Sequence, residues 1–234
     1  AGYFAGHAVA ISSAVAEVCG RFVRGTNRLS VIYNGIDTSR FRPAKADGAR
    51  FRQERNIPAD AFVVACVGQL VPWKKQDSFL QAAALISAEL PQTIFLVAGR
   101  DIYGDHPDYV TRLHRKARDL DLDKRVRFVG HVEDARSLYA ASDVLIHPSA
   151  TEPFGRVVAE AMAGECPVIA VNRAGPAELI RHDIDGLLVA PHDPNALARA
   201  AVALAHDSER RNKLAKAGRT RIVDTFSRDL LAKR

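Results

Sequence analysis

Short apolar runs that alternate with helix-period segments predict an α/β fold, a parallel sheet with helices on both faces. Five runs carry that prediction: Phe62 to Val67, Ile94 to Ala98, Val126 to Val129, Val144 to His147 and Val168 to Val171, each of strand length. The segments between them are the second observation, since parallel neighbours need long crossovers. Composition is the third: 47% hydrophobic and 26% charged residues supply both a core and a solvated surface.

After the first strand, Asp77 to Leu90 places Phe79, Leu80, Ala83, Ile86 and Leu90 on one helical face, with Asp77 as the expected N-cap. The next helix is expected near Asp108 to Leu120, on Tyr109, Leu113, Ala117 and Leu120. Asp143 to Pro148 reads as a short buried strand, and Val157 to Ala163 as a buried helix. Asp193 followed by Pro194 starts another helix in cap-then-proline order. Near the C-terminus, Arg210, Arg211, Lys213, Lys216, Arg219 and Arg221 run beside Leu214, Ala217, Ile222 and Phe226. That pattern predicts an amphipathic helix with a wet basic face.

A net charge of +6 admits an anionic nucleotide, an acidic membrane surface or nucleic acid as partner. Nucleic acid ranks last, because the basic residues lack aromatic interleaving or a recognised module. Contact of the basic helix with a membrane is a weaker possibility than packing on the domain. No apolar run of membrane-spanning length and no secretory pattern occurs, so a cytoplasmic protein is expected, with any membrane contact peripheral to the inner face. Cys19, Cys66 and Cys166 form no Cys-x-x-Cys pair, and neither a disulfide framework nor a zinc site is expected.

The richest chemistry lies between Thr151 and Ala163, where Glu152 and Glu160 flank a loop-to-helix junction. The first amides of a helix lack internal partners, so Gly155, Arg156 and Val157 can offer N–H groups to a phosphate. Glu160 is the one polar residue from Val157 to Ala163; a half-buried carboxylate there needs donors, and ribose hydroxyls would serve. Glu152, just before the helix, is placed to accept from a sugar beyond the phosphates. For either glutamate alone, helix-dipole complementarity or a solvated face is the plainer account. The loop Gly68-Gln69-Leu70-Val71-Pro72-Trp73-Lys74-Lys75 follows the first strand, at the sheet end where open parallel sheets bind ligands.

With Pro153, Phe154 and Gly155 between them, the two glutamates resemble the Glu-x7-Glu motif of retaining GT-B glycosyltransferases, especially the large family 4. The resemblance runs from about Ala8 to the C-terminus, through Val31 to Pro43, Val64 to Lys75, Val126 to Val132, Pro167 to Ala177 and Gly186 to Pro191. It implies a Rossmann-like sheet that is one half of a GT-B fold. It also implies three parts: residues 1–30 as the tail of an N-terminal domain and linker, 31–226 as the nucleotide-sugar-binding domain, and 227–234 as a C-terminal helix or crossover. The chain opens at Ala1, and its 234 residues suffice for one such domain, so a piece of a larger enzyme is expected, the missing N-terminal domain carrying the acceptor site.

The activity so implied is transfer of a hexosyl group from a UDP, GDP or ADP sugar to an unidentified acceptor, with retention, no cofactor and no catalytic metal. An isolated domain would bind donor and transfer little. The resemblance makes Lys74 and Glu152 the catalytic residues: Lys74 holds the diphosphate with the helix amides, and Glu152 positions the sugar. Gln69 stands where an Arg is usual and Lys75 where a Gly is commoner; Lys75 or Arg156 would then supply the missing charge. Gly68 is counted with its loop among the nucleotide-sugar-binding residues; Gly99, Arg100, His131 and Val132 follow strand ends, where nucleobase contacts are expected, although turn residues explain them as well. His147 reads as a satisfied structural histidine and Glu178 as a capping residue. A GT-B phosphorylase, a sugar-nucleotide epimerase or a noncatalytic nucleotide- or partner-binding module stays open as an alternative.

Overall fold

A computed structural model describes residues 7–21, 28–43 and 45–233. In chain order these form β1 (Ala8–Ala10), α1 (Ser13–Gly20), β2 (Leu29–Val31), α2 (Lys45–Glu54), β3 (Val63–Val67), a 3-10 turn (Pro72–Lys74), α3 (Gln76–Glu89), β4 (Ile94–Ala98), α4 (Pro107–Asp119) and β5 (Val126–Gly130). There follow α5 (Arg136–Ala141), β6 (Val144–His147), α6 (Arg156–Ala163), β7 (Val168–Val171), α7 (Ala174–Leu179), β8 (Leu187–Val189), α8 (Pro194–His206), α9 (Ser208–Phe226) and α10 (Arg228–Leu231). The expected 1–30 segment is described at 7–21 and 28–30; residues 1–6 and 22–27 of it, and residue 234 of the expected C-terminal segment, lie outside the described residues.

Six strands form one parallel sheet in the order β5-β4-β3-β6-β7-β8, and β1 pairs with β2 in a separate parallel ribbon. Side-chain alternation divides the core in two. Val63, Ala65, Leu96, Leu145 and Val168 face α2, α5, α6 and α7, whereas Val64, Cys66, Phe95, Ile146 and Ile169 face α3, α4 and α8. Each fully buried Leu, Ile or Phe in these layers stabilises by about 1.5–3 kcal/mol. The expected helices on both faces are present, and all five expected strands are there with β3 starting one residue later than Phe62. Strand order reverses between β3 and β6, so the crevice beyond their C-terminal ends is the predicted ligand position.

Three expectations are corrected. Asp77 does not cap α3: Lys75 is the N-cap, in a left-handed conformation with φ 59° and no side-chain cap, and Asp77 lies in the first turn. The basic face of α9 is not simply wet. Arg211 donates to the Leu204 carbonyl at 2.6 Å at the end of α8, Arg219 to the Ala163 carbonyl at the end of α6, and Arg221 to the Glu178 and Leu179 carbonyls at the end of α7. Helix C-terminal carbonyls lack partners and carry partial negative charge, which is why guanidinium groups settle there. Finally, His147 is not a satisfied histidine, as its surroundings show below.

Glu178 does cap a helix, though a distant one. Its carboxylate accepts the amides of Ser13 and Ala14 at 2.9 and 2.8 Å, at the start of α1, and the Tyr33 hydroxyl at 2.7 Å. These bonds outweigh the burial that would raise its pKa and hold it below the ordinary value. They dock α1 and the 31–37 segment onto α7.

Candidate functional site

The strand-end loops are laced together by their own backbones. Gly68 N–H donates to the Ala98 carbonyl at 3.0 Å, Leu70 to Arg100 at 3.0 Å, and Gly99 to Gly130 at 2.8 Å. At Gly99, φ is 141° and a Cβ would lie 1.8 Å from the Gly68 carbonyl oxygen, so only glycine permits this approach. On the other side of the switch point, Ser149 Oγ bonds the Trp73 carbonyl at 2.9 Å, fastening the loop after β6 to the 3-10 turn. That fastening brings Lys74 to Glu152.

Lys74 Nζ donates to Glu152 Oε2, and both side chains are nearly enclosed. His147 Nε2 stands 3.4 Å from the same Oε2, is buried, and makes no hydrogen bond among the described residues. Burial would raise the Glu152 carboxyl, but His147 and Lys74 overcome it and hold the group well below the usual carboxylate range. Burial, reinforced by Lys74, pushes the His147 imidazole below its ordinary value against the pull of Glu152. The centre is therefore a carboxylate, an ammonium and a neutral imidazole.

Between Glu152 and Glu160 the chain turns at Gly155, φ 96°, which caps α6 with no side-chain hydrogen bond to the helix amides. Phe154 is buried against Tyr33 and Phe226, with ring centroids 6.4 and 6.1 Å away, and pins the loop from beneath. Glu160 lies one turn inside α6. Its Oε2 accepts the Tyr139 hydroxyl and its Oε1 the Arg156 guanidinium, each at 3.2 Å. Here burial wins: the Glu160 carboxyl is raised, despite Arg156, Tyr139 and Arg40.

A cavity of about 320 Å³ opens at these strand ends. Of the expected site residues, Gly68, Gln69, Gly99, Arg100, His131, Val132, Arg156, Val157 and Glu160 line it. Lys74 and Glu152 form their own pair at the 3-10 turn, with Gly155, the N-cap of α6, against the Glu152 side chain. Pro153 is exposed and Phe154 belongs to the core. Lys75 faces away, into a groove with Pro72 and the Arg112 and Lys116 side of α4, because its left-handed backbone starts α3. Lys75 does not line the cavity that Gln69 lines. Arg40, Phe41, Ile102 and Glu133 also line the cavity and were not anticipated. Arg40 and Phe41 sit inside the Val31 to Pro43 stretch, but nothing local distinguishes them from linker residues.

The sequence holds three Asp-x-Asp triplets, at Asp119-Leu120-Asp121, Asp121-Leu122-Asp123 and Asp183-Ile184-Asp185. None lines the cavity. The first two overlap in the connection from α4 to β5, where Leu122 is buried, and the Asp185 carboxylate is consumed by Arg181.

The sequence profile of the glycosyl transferases group 1 matches residues 47–221, which include the site from Gly68 to Glu160. The chain belongs to the group 1 glycosyl transferases. A relative of this group 1 domain, the D-inositol 3-phosphate glycosyltransferase of Salinispora tropica, is 34% identical over 228 residues, 93% of this chain and 47% of that protein. The crystal structure of Anabaena HepE in complex with UDP-glucose superposes with a TM-score of 0.92 at 31% identity, over 99% of this chain and 62% of HepE. The C-terminal domain of the group 1 family protein LpcC from Francisella tularensis matches with a TM-score of 0.74 at 29% identity, over 83% of this chain and 100% of that one. The group 1 chain spans about half the length of the curated relatives it matches. Its fold is that of a GT-B C-terminal domain.

Proposed function

We propose that this chain is the donor-binding domain of a retaining, family 4 glycosyltransferase that moves a hexosyl group from a nucleoside diphosphate sugar, without a metal, to an acceptor held by another domain. One observation carries the reading: Arg156, Val157 and Glu160 of α6 line the cavity, the Lys74–Glu152 pair stands just before that helix, and no side chain among the described residues caps its first amides. Departure of the diphosphate develops negative charge, and pre-aligned donors stabilise it most where water is excluded. Lys74 and the amides of Gly155, Arg156 and Val157 take that task, with Gln69 giving a neutral donor. Gln69 lacks the charge of an arginine; Arg156, which lines the cavity, supplies a cation in its stead.

Glu160 accepts the ribose hydroxyls once Arg156 turns away, and Glu152 accepts from the donor sugar without acting as nucleophile. Arg100 stacks on the nucleobase, whose edge meets the main chain at His131 and Val132. The residues bind a nucleotide in a cytoplasmic setting; α9 gives little support to membrane contact, since three of its arginines are taken up by carbonyls. UDP-glucose is the first donor to test, because HepE binds it at 31% identity.

Calorimetric titration with UDP-, GDP- and ADP-glucose tests the reading. One of the three is expected to bind, and Glu160→Ala and Lys74→Ala are each expected to weaken it by about tenfold or more. Binding of none, or binding untouched by both substitutions, sinks the site assignment.

A further inference from the structure

His147 closes β6 with its backbone in register with Ala170 of β7, so its Cα is fixed by the sheet. Its side chain is 3% exposed, and Nε2 has no hydrogen bond among the described residues. An apolar side chain would fill a buried strand end without that cost, which is about 1–3 kcal/mol for an unsatisfied polar group. The atom facing Nε2 is Glu152 Oε2, 3.4 Å away. A shift of about 0.3 Å brings the pair into ordinary hydrogen-bonding range.

We propose that His147 is a positioning residue for Glu152: its Nε2–H donates to Oε2, so that Oε1 stays turned to the donor sugar. The inference rests on the donor-binding reading above. A bare Nε2 lone pair facing a carboxylate oxygen would repel it, which selects the Nε2–H tautomer. A protonated ring would set a second cation beside the Lys74 ammonium, which already holds Oε2. The two donors converge on one oxygen, and Oε1 accepts no hydrogen bond from any described residue. One half of the carboxylate is thus held by the protein and the other half is left for a ligand. When Lys74 turns its ammonium to the diphosphate, His147 is the contact that keeps Glu152 in place.

Two measurements test this. In the unliganded chain, long-range proton–nitrogen NMR of the imidazole is expected to show His147 protonated at Nε2 and bare at Nδ1, with shifts that move in Glu152→Gln. An Nδ1–H tautomer, or shifts indifferent to Glu152→Gln, overturns the hydrogen bond without reference to any ligand. In calorimetry, the preference for UDP-glucose over UDP is expected to fall about five- to tenfold in His147→Leu. His147→Gln, which restores an N–H, recovers most of it. A purely structural role would weaken UDP and UDP-glucose alike and show no rescue, and that outcome overturns the positioning role. If the unsubstituted chain binds neither ligand, the donor reading falls and the purpose given to the contact falls with it, while the NMR still judges the contact itself.

Discussion

The two ends of the Glu152–Glu160 motif carry the same residue type at nearly the same exposure, 8% and 9%, yet their carboxyls move in opposite directions. Burial raises both. What differs is the partner. Glu152 has an ammonium and an imidazole on one oxygen, both on elements braced by the sheet, and ends as a firmly ionised group. Glu160 has a neutral hydroxyl from Tyr139 and a guanidinium from Arg156 whose side chain is 71% exposed, and these leave the burial cost partly unmet. Equal burial with unequal donors gives a permanent anion at one end and an acceptor in want of donors at the other. Ribose hydroxyls would meet that want.

The largest expected effect lies at the Glu152 end. Lys74→Ala leaves an ionised carboxylate buried beside a neutral ring, and breaking such a pair costs about 3 kcal/mol of unfolding free energy. Adding Glu152→Gln should recover most of that loss, since the stranded charge goes too. The matching change at the other end, Tyr139→Phe, removes one hydrogen bond to Glu160 and should cost about 1 kcal/mol. Denaturant unfolding of the four proteins reads this directly. If Lys74→Ala costs no more than Tyr139→Phe, the two ends are held alike and the comparison fails.

Much of this was legible beforehand, for physical reasons. Four sheet strands stood out because both their faces are buried and their residues are almost all apolar; β5 stood out on Val126, Phe128 and Val129 although Arg127 interrupts it and only Val126 is fully buried; β8 did not, since it has three residues and only Leu187 is fully buried. Helix α2 buries only Gly48 and Phe51 and so shows no apolar stripe. The motif glutamates were found by their spacing, and their ionisation was not, because Lys74 reaches Glu152 across 78 positions of sequence. Arg40 and the arginines of α9 are likewise surface cations to local reasoning; only the packed helices show which carbonyls and which cavity they meet.

Acid gives a second, smaller test with opposite signs. A depressed carboxyl stabilises the fold above its unfolded value and loses that contribution as pH falls through its folded one, so for Glu152 the loss runs from about 4.5 down to about 2. Glu160 is raised, so the folded chain favours its protonated form; its ionisation weakens the fold at neutral pH, and the weakening is relieved as pH falls. Thermal melts at pH 7 should therefore find Glu152→Gln destabilised and Glu160→Gln level with or above the parent. Both differences should shrink toward acid. Equal and same-signed shifts in the two variants would break the contrast.

The smallest expected effect on stability sharpens the contrast most. Arg156 pairs with Glu160 one helical turn away and largely in solvent, an arrangement worth about 0.3–0.5 kcal/mol. Arg156→Ala should barely move the melting temperature. On the proposed reading its effect on ligands should depend on the phosphate, because the guanidinium that pairs with Glu160 also lines the cavity beside the uncharged Gln69. Uridine, which has no phosphate, should bind as well or better once Arg156 no longer covers Glu160. UDP should bind several-fold more weakly for want of a charge-assisted contact. Opposite signs for the two ligands in one calorimetric series would mark the Glu160 end as adjustable where the Glu152 end is fixed; losses of equal size would make Arg156 a plain structural partner of Glu160.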